Sequence, residues 1–201
     1  MSGKEQLFEV SLEREGAYRS ISAALEAVGR CVPDASVPVR VLLAPGEYRE
    51  RVEIRRPHVT IEGETADSVR IVGGLGAKMP SKDGSGQDGK LGTFRTYTVL
   101  VDADDVTLAG LTIENDAGDG REAGQGIALY ADGDRLVVDA CRILGHQDTL
   151  FLGPLPPREG QAGRLYRPQT VCPAPRGAAV LPSLPHCRRR RFYLWRCAGL
   201  F

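Results

Sequence analysis

Two octets decide the fold: Val106-Thr107-Leu108-Ala109-Gly110-Leu111-Thr112-Ile113 and Leu136-Val137-Val138-Asp139-Ala140-Cys141-Arg142-Ile143. They carry one pattern written twice. A short apolar run meets a small or acidic residue, and a second alternating run follows. Side chains alternate across a strand, so each half buries one face and leaves the other to polar groups. Such a unit cannot bury its apolar side alone, and its repetition points to stacked coils in which each turn covers the next. A β-sandwich also produces short strands closed by turn residues, so the pattern by itself leaves both architectures open.

The same grammar runs outward in both directions. Phe8 to Leu12, Val39 to Leu43, Val52-Glu53-Ile54, Val59-Thr60-Ile61 and Val69-Arg70-Ile71-Val72 read as strands. Thr96 to Val101 and Ile127 to Tyr130 continue the series. One segment differs: Tyr18, Ile21, Leu25 and Val28 recur at three- and four-residue steps, the spacing of an amphipathic helix closed by Gly29. Between Gly73 and Gly92 apolar residues almost vanish, which predicts a long exposed loop.

Composition sets the bounds. The 201 residues, 42% hydrophobic, suffice for one domain with a real core. Lys+Arg and Asp+Glu are each 26, and this zero balance gives no reason to expect nucleic acid or a membrane surface as partner. No run is long enough to span a bilayer. The charged start Met1-Ser2-Gly3-Lys4-Glu5-Gln6 lacks a secretory signal, so a cytoplasmic location is the expectation for the chain as written. Of five cysteines, Cys31 and Cys141 are expected to be buried small apolar groups, and none forms a metal-type pair.

One stretch carries chemistry. In Gly145-His146-Gln147-Asp148-Thr149-Leu150-Phe151-Leu152 an amide and a carboxylate stand together, with apolar residues on both sides. A carboxyl set into an apolar wall is a candidate general acid. A plain turn, with Asp148 bonded to the backbone beyond it, explains the same residues. Asn115 reads as an inward turn amide with a structural role. Asp102, Asp104 and Asp105 lack the glycine-punctuated spacing of a calcium loop and read as a solvated turn.

Ordered motifs add a resemblance. Tyr18-Arg19-Ser20-Ile21, Pro45-Gly46-Glu47-Tyr48, Val59-Thr60-Ile61-Glu62-Gly63, Leu111-Thr112-Ile113-Glu114-Asn115, Gly124-Gln125-Gly126-Ile127-Ala128-Leu129 and Gly145-His146-Gln147-Asp148-Thr149-Leu150 occur in series. From about Tyr18 to about Gly163 the chain resembles the pectin methylesterase (pectinesterase) family. The resemblance implies an all-β, right-handed parallel β-helix, with the Ile21–Leu25 helix capping its N-terminal end. It also implies hydrolysis of the methyl ester of galacturonate in pectin or oligogalacturonates, without metal or cofactor. Asp148 then matches the acid/base aspartate and Gln147 the adjacent oxyanion stabiliser. Gln125 matches the second glutamine, and Thr93, in Gly92-Thr93-Phe94-Arg95-Thr96, a threonine that contacts the polysaccharide. A strand amide bonded to the neighbouring coil and an ordinary loop hydroxyl are the plainer readings of Gln125 and Thr93. Family members are often secreted, and the resemblance implies no oligomeric state.

The family's nucleophile lies in an Asp-Phe-Ile-Phe-Gly motif, and a substrate-binding Arg and Trp lie in Gly-Arg-Pro-Trp. Neither occurs here. Past Gly163 the alternation stops, and Arg188-Arg189-Arg190-Arg191 appears. Back-translation of Arg191-Phe192-Tyr193-Leu194-Trp195-Arg196 as CGA-TTT-TAT-CTT-TGG-CGN, read one nucleotide later, gives GAT-TTT-ATC-TTT-GGC, which encodes Asp-Phe-Ile-Phe-Gly. The same shift turns Arg164-Leu165-Tyr166-Arg167-Pro168 into Gly-Phe-Ile-Gly-Pro, also typical of the family. The expectation is a partial β-helix over 1–163 and an out-of-frame, poorly structured tail over 164–201, with the four arginines a coding artefact. A stack cut in this way is expected to expose the apolar edge of its last coil. The chain is then an esterase that has lost its nucleophile. A polysaccharide-binding solenoid without catalysis is the alternative, and a calcium-dependent β-helix lyase a third with no ligand cluster to support it.

Overall fold

A computed structural model describes residues 4–81, 87–153 and 192–195. It opens with strand β1 (Gln6–Val10) and helix α1 (Ile21–Cys31). Three coils follow in one order. The first is β2 (Val39–Leu43), β3 (Gly46–Tyr48) and β4 (Val52–Ile54); the second is β5 (Val59–Gly63), β6 (Val69–Gly73) and β7 (Val99–Val101). The third is β8 (Thr107–Ala109), β9 (Thr112–Asn115), the short helix α2 (Gly120–Ala123) and β10 (Leu129–Ala131). A fourth coil holds β11 (Leu136–Asp139), β12 (Arg142–Leu144) and β13 (Leu150–Leu152), and β14 (Phe192–Trp195) comes last.

Each coil gives one strand to each of three sheets. Sheet A runs β1-β2-β5-β8-β11-β14, sheet B β3-β6-β9-β12 and sheet C β4-β7-β10-β13. All these pairings are parallel. This is a parallel β-helix, and the sandwich alternative falls because a sandwich would need antiparallel neighbours. The two octets stack in register, with Thr107 against Val137, Leu108 against Val138, Thr112 against Arg142 and Ile113 against Ile143.

Register produces columns of like side chains inside the stack. Val41, Ile61, Leu108 and Val138 form one, and Tyr48, Ile71, Ile113 and Ile143 another, all buried. Burying each such side chain is worth roughly 1.5–3 kcal/mol. The corner between sheets A and B is tight. Gly110 turns there with φ of 62°, and a Cβ would strike the carbonyl oxygen of Gly63. In the next coil Ala140 takes the same left-handed turn.

Helix α1 covers the N-terminal end. Ile21, Ala24, Ala27 and Val28 are buried, and Ile21, Ala24 and Val28 join the main core cluster. Its start is held twice. The Ser20 hydroxyl accepts from Ala23 N at 3.1 Å, and the Glu50 carboxylate accepts from Ile21 N at 2.8 Å and Ser22 N at 3.0 Å. These bonds satisfy amides that a helix leaves without partners and place negative charge on the positive end of its dipole. Beyond the helix, Arg56 donates to the carbonyls of Asp34 (2.7 Å), Val37 (2.9 Å) and Pro57 (3.2 Å).

Several expectations need correction. The helix continues past Gly29 to Cys31, with Val32 N bonded to Val28 O, because packing outweighs the modest cost of an interior glycine. Cys141 is buried, whereas Cys31, on the solvent side of the last turn, is exposed. The 73–92 stretch is not wholly exposed, since Gly76 and Ala77 are buried. Among the described residues, Leu136, Val138, Cys141 and Ile143 of the last coil are buried where a bare apolar edge was expected, and β14 pairs along β11 from Leu136 to Asp139. Leu152, half exposed at the end of sheet C, fits the expected edge. Apart from β14, the tail over 164–201 lies outside the described residues.

Candidate active site

The coils differ in length at one corner. Between sheets B and C the chain needs only residues 49–51 in the first coil and 145–149 in the fourth. In the second and third coils it spends residues 74–98 and 116–128 there. All four sequence-predicted site residues lie at this corner: Thr93 and Gln125 on the two insertions, Gln147 and Asp148 on the short turn beyond them.

The two insertions are locked together from beneath. Asn115, only 2% exposed, sends its Nδ2 to the carbonyls of Thr96 (2.9 Å), Leu75 (3.1 Å) and Ile127 (3.1 Å), while its Oδ1 accepts from Ala117 N at 3.1 Å. Thr96 Oγ1 accepts from Ile127 N at 3.0 Å. Ala77 N reaches Gln125 O at 2.9 Å, and Lys78 N reaches Ala123 O at 2.9 Å. The structural reading of Asn115 therefore holds.

On this base the candidate groups converge in part. The Thr93 hydroxyl donates to Gln125 Oε1 at 3.3 Å, which orients the amide with its NH2 edge as the donor side. Gln125 is thus bonded to the insertion of the coil before it. One coil further on, Gly126 N donates to Gln147 O at 2.9 Å and Ala128 N to Thr149 O at 2.9 Å. The two glutamines accordingly lie on adjacent coils at this corner, Gln147 bonded through its carbonyl to the residue after Gln125. The Gln147 side chain lies against Gly120, so closely that a Cβ there would overlap its amide oxygen. Asp148 takes φ of 59°, a left-handed turn that aspartate tolerates, and stands exposed at the apex with Gln147. An Asp148 enclosed by apolar residues is not what the structure presents, because the short turn projects beyond the strands.

The apolar wall itself exists beside the turn. Outward positions of sheet C align as Glu53, Leu100, Tyr130 and Phe151. Phe94 and Tyr97 from the long insertion pack on them. Tyr130 and Phe151 meet edge to face at 4.9 Å, and Phe94 meets Phe151 at 5.1 Å. The sequence held a signal for this layer. Val99-Leu100-Val101 and Leu129-Tyr130-Ala131 are apolar throughout and fully buried, the mark of strands covered on both faces. At the N-terminal end of the face, Tyr97 donates to Glu53 at 2.7 Å. Burial pushes the Tyr97 hydroxyl well above its ordinary pKa, and the bond to Glu53 adds to the shift. Burial pushes the Glu53 carboxyl up, but bonds from Tyr97 and Arg55 outweigh it and hold it below the usual range. Among the described residues there is no cluster of His, Cys, Asp or Glu of metal-binding form.

The chain is thus a parallel β-helix with two glutamines on adjacent coils and an acidic turn beside an aromatic wall. The comparisons give it a family. Residues 8–154 match the model of the family described as Pectinesterase, and the chain belongs to that family. A probable pectinesterase/pectinesterase inhibitor from Arabidopsis thaliana is 34% identical over 145 residues, which cover 71% of this chain and 23% of the relative. A pectinesterase from Petunia integrifolia is 30% identical, with 71% of this chain and 35% of the relative covered. Among solved structures, a pectin methylesterase in complex with a hexasaccharide superimposes with a TM-score of 0.65 and 27% identity, over 72% of this chain and 45% of that one. Pectin methylesterase PemA from Erwinia chrysanthemi gives 0.62 and 26%, over 76% and 46%. The chain thus spans less than half the length of these relatives.

Proposed function

We propose that this chain carries the amide and acid half of a pectin methylesterase site and recognises methyl-esterified galacturonate without hydrolysing it. The observation that carries this reading is the placing of Gln125 and Gln147 on adjacent coils at one corner, with Thr93 bonded to the first and Asp148 following the second. In the family reaction one carboxylate attacks the ester carbon, and the tetrahedral oxyanion forms. The amide N–H groups of Gln125 and Gln147 are the donors for that oxyanion. Asp148, exposed at the apex, is the group to protonate the leaving methoxide and then to activate water.

The attacking carboxylate belongs to Asp-Phe-Ile-Phe-Gly, which this sequence lacks. Without it no covalent intermediate forms, and an acid/base group acting alone leaves most of the barrier in place. The back-translation supports a reading-frame slip near Gln161 to Arg164. The nucleotide sequence over codons 155–195 tests that point: one inserted or deleted base should restore the motif, and if none does the slip is refuted.

Recognition is tested by titrating the purified chain with methyl-esterified oligogalacturonate. Binding that weakens in both Gln125→Ala and Gln147→Ala is the expected result. Binding indifferent to both substitutions, or no binding, overturns the assignment of this corner.

A further inference from the structure

The second-coil insertion meets the third at a 3-10 turn, Thr93–Arg95, where the Thr93 hydroxyl donates to Gln125 Oε1 at 3.3 Å. Both ends of that bond are fastened. On one side the Thr93 carbonyl accepts from Thr96 N at 3.1 Å and from the Thr96 hydroxyl at 2.7 Å. Thr96 Oγ1 in turn accepts from Ile127 N at 3.0 Å, two residues past Gln125. On the other side Ala77 joins the two backbones. Its carbonyl accepts from Gly92 N at 3.0 Å, and its N–H donates to Gln125 O at 2.9 Å. The Thr93–Gln125 bond therefore closes a ring of short bonds, and the β-branched threonine has little χ1 freedom inside it.

A hydroxyl has one proton to donate. Thr93 gives its proton to Gln125 Oε1, so it has none for an ester carbonyl or an oxyanion, which only accept. The same bond holds the amide by its oxygen and turns its N–H edge the other way. Gln147 repeats the arrangement one coil on: its Oε1 lies against Gly120, at the place a Cβ would fill. In both cases the amide oxygen faces the insertion of the preceding coil.

From this we infer that Thr93 is a positioning residue. It acts on a bound methyl ester through Gln125, by holding that amide with its N–H edge toward the ligand, and does not touch the polysaccharide itself. The inference rests on the functional reading above and departs from the polysaccharide contact that the family resemblance implies for Thr93.

The experiment is a double-mutant cycle, read by titration calorimetry of the full chain with methyl-esterified oligogalacturonate. Thr93→Val, which keeps the shape and removes the hydroxyl, should lose roughly two- to ten-fold in affinity, the size of one neutral hydrogen bond. Thr93→Ser should restore most of it. In a Gln125→Ala background Thr93→Val should cost nothing further, because the group it acts through is gone. Losses that add mean that Thr93 touches the ligand or only supports the fold. That result, or wild-type affinity in Thr93→Val, overturns the inference and leaves the glutamine corner standing. Without any ligand, the Gln125 side-chain NH2 resonances should move in Thr93→Val and return in Thr93→Ser, and resonances indifferent to Thr93→Val overturn it as well. Failure of the wild type to bind overturns the functional reading itself.

Discussion

Asn115→Ala is the substitution for which the structure gives the firmest magnitude. The amide holds three carbonyls and one N–H from a buried position. Ile127 O keeps another donor, Thr98 N at 3.0 Å, but Leu75 O and Thr96 O lose the Asn115 donor. Each buried acceptor stripped in this way costs about 1–3 kcal/mol, so a loss of roughly 2–6 kcal/mol is expected for the two. That is a large share of the ~5–15 kcal/mol typical of a domain. Equilibrium unfolding in urea measures it. With slopes of about 1–3 kcal/mol per molar, the midpoint should fall by on the order of 1 M. Asn115→Asp should do no better, because it removes the donors and buries a charge. Hydrogen exchange should rise first at Ala77, Lys78 and Ile127, whose amides bridge the two insertions. A change under about 0.5 kcal/mol would refute the claim that this one amide fastens both insertions.

Three further outcomes follow from particular contacts. Gly120→Ala should leave stability unchanged or slightly raised, since alanine is the better helix former, yet weaken ligand binding by displacing Gln147; equal binding by the two proteins would show that Gln147 does not need its present seat. Arg56→Met should cost about 1–3 kcal/mol by releasing the loop carbonyls it gathers, read as a lower thermal midpoint. Glu53 bears on acid stability. Its folded pKa lies below the ordinary value of 4.5, so its contribution is present above that value and is lost as pH falls through the folded one. The stability gap between wild type and Glu53→Gln should therefore narrow on acidification below pH 4.5, and a constant gap would deny the assignment.

The solenoid was legible because its coils repeat. Laid side by side, Val106–Ile113 and Leu136–Ile143 suggest stacked coils without excluding a sandwich; the ordered family motifs favour the stack, and the two octets lie in parallel register in the structure. The capping helix was legible from its spacing, though not its end, since Gly29 is tolerated under tertiary packing. Less was legible at the site. The order of Gln125, Gln147 and Asp148 along the chain says nothing of which side chains meet. The bond between Thr93 and Gln125 depends on a fold-back of the long insertion, fixed by Asn115 from another strand. The aromatic layer was hidden for a related reason. Phe94, Tyr130 and Phe151 are far apart in sequence and become neighbours only when successive coils align.

Methanol release from methyl-esterified pectin by the purified 201-residue chain tests the central claim most directly. The account predicts binding of the polymer with no methanol above the uncatalysed background, and no further loss on Asp148→Asn. Sustained turnover that Asp148→Asn abolishes would contradict it, because the chain would then contain an attacking group other than the missing aspartate.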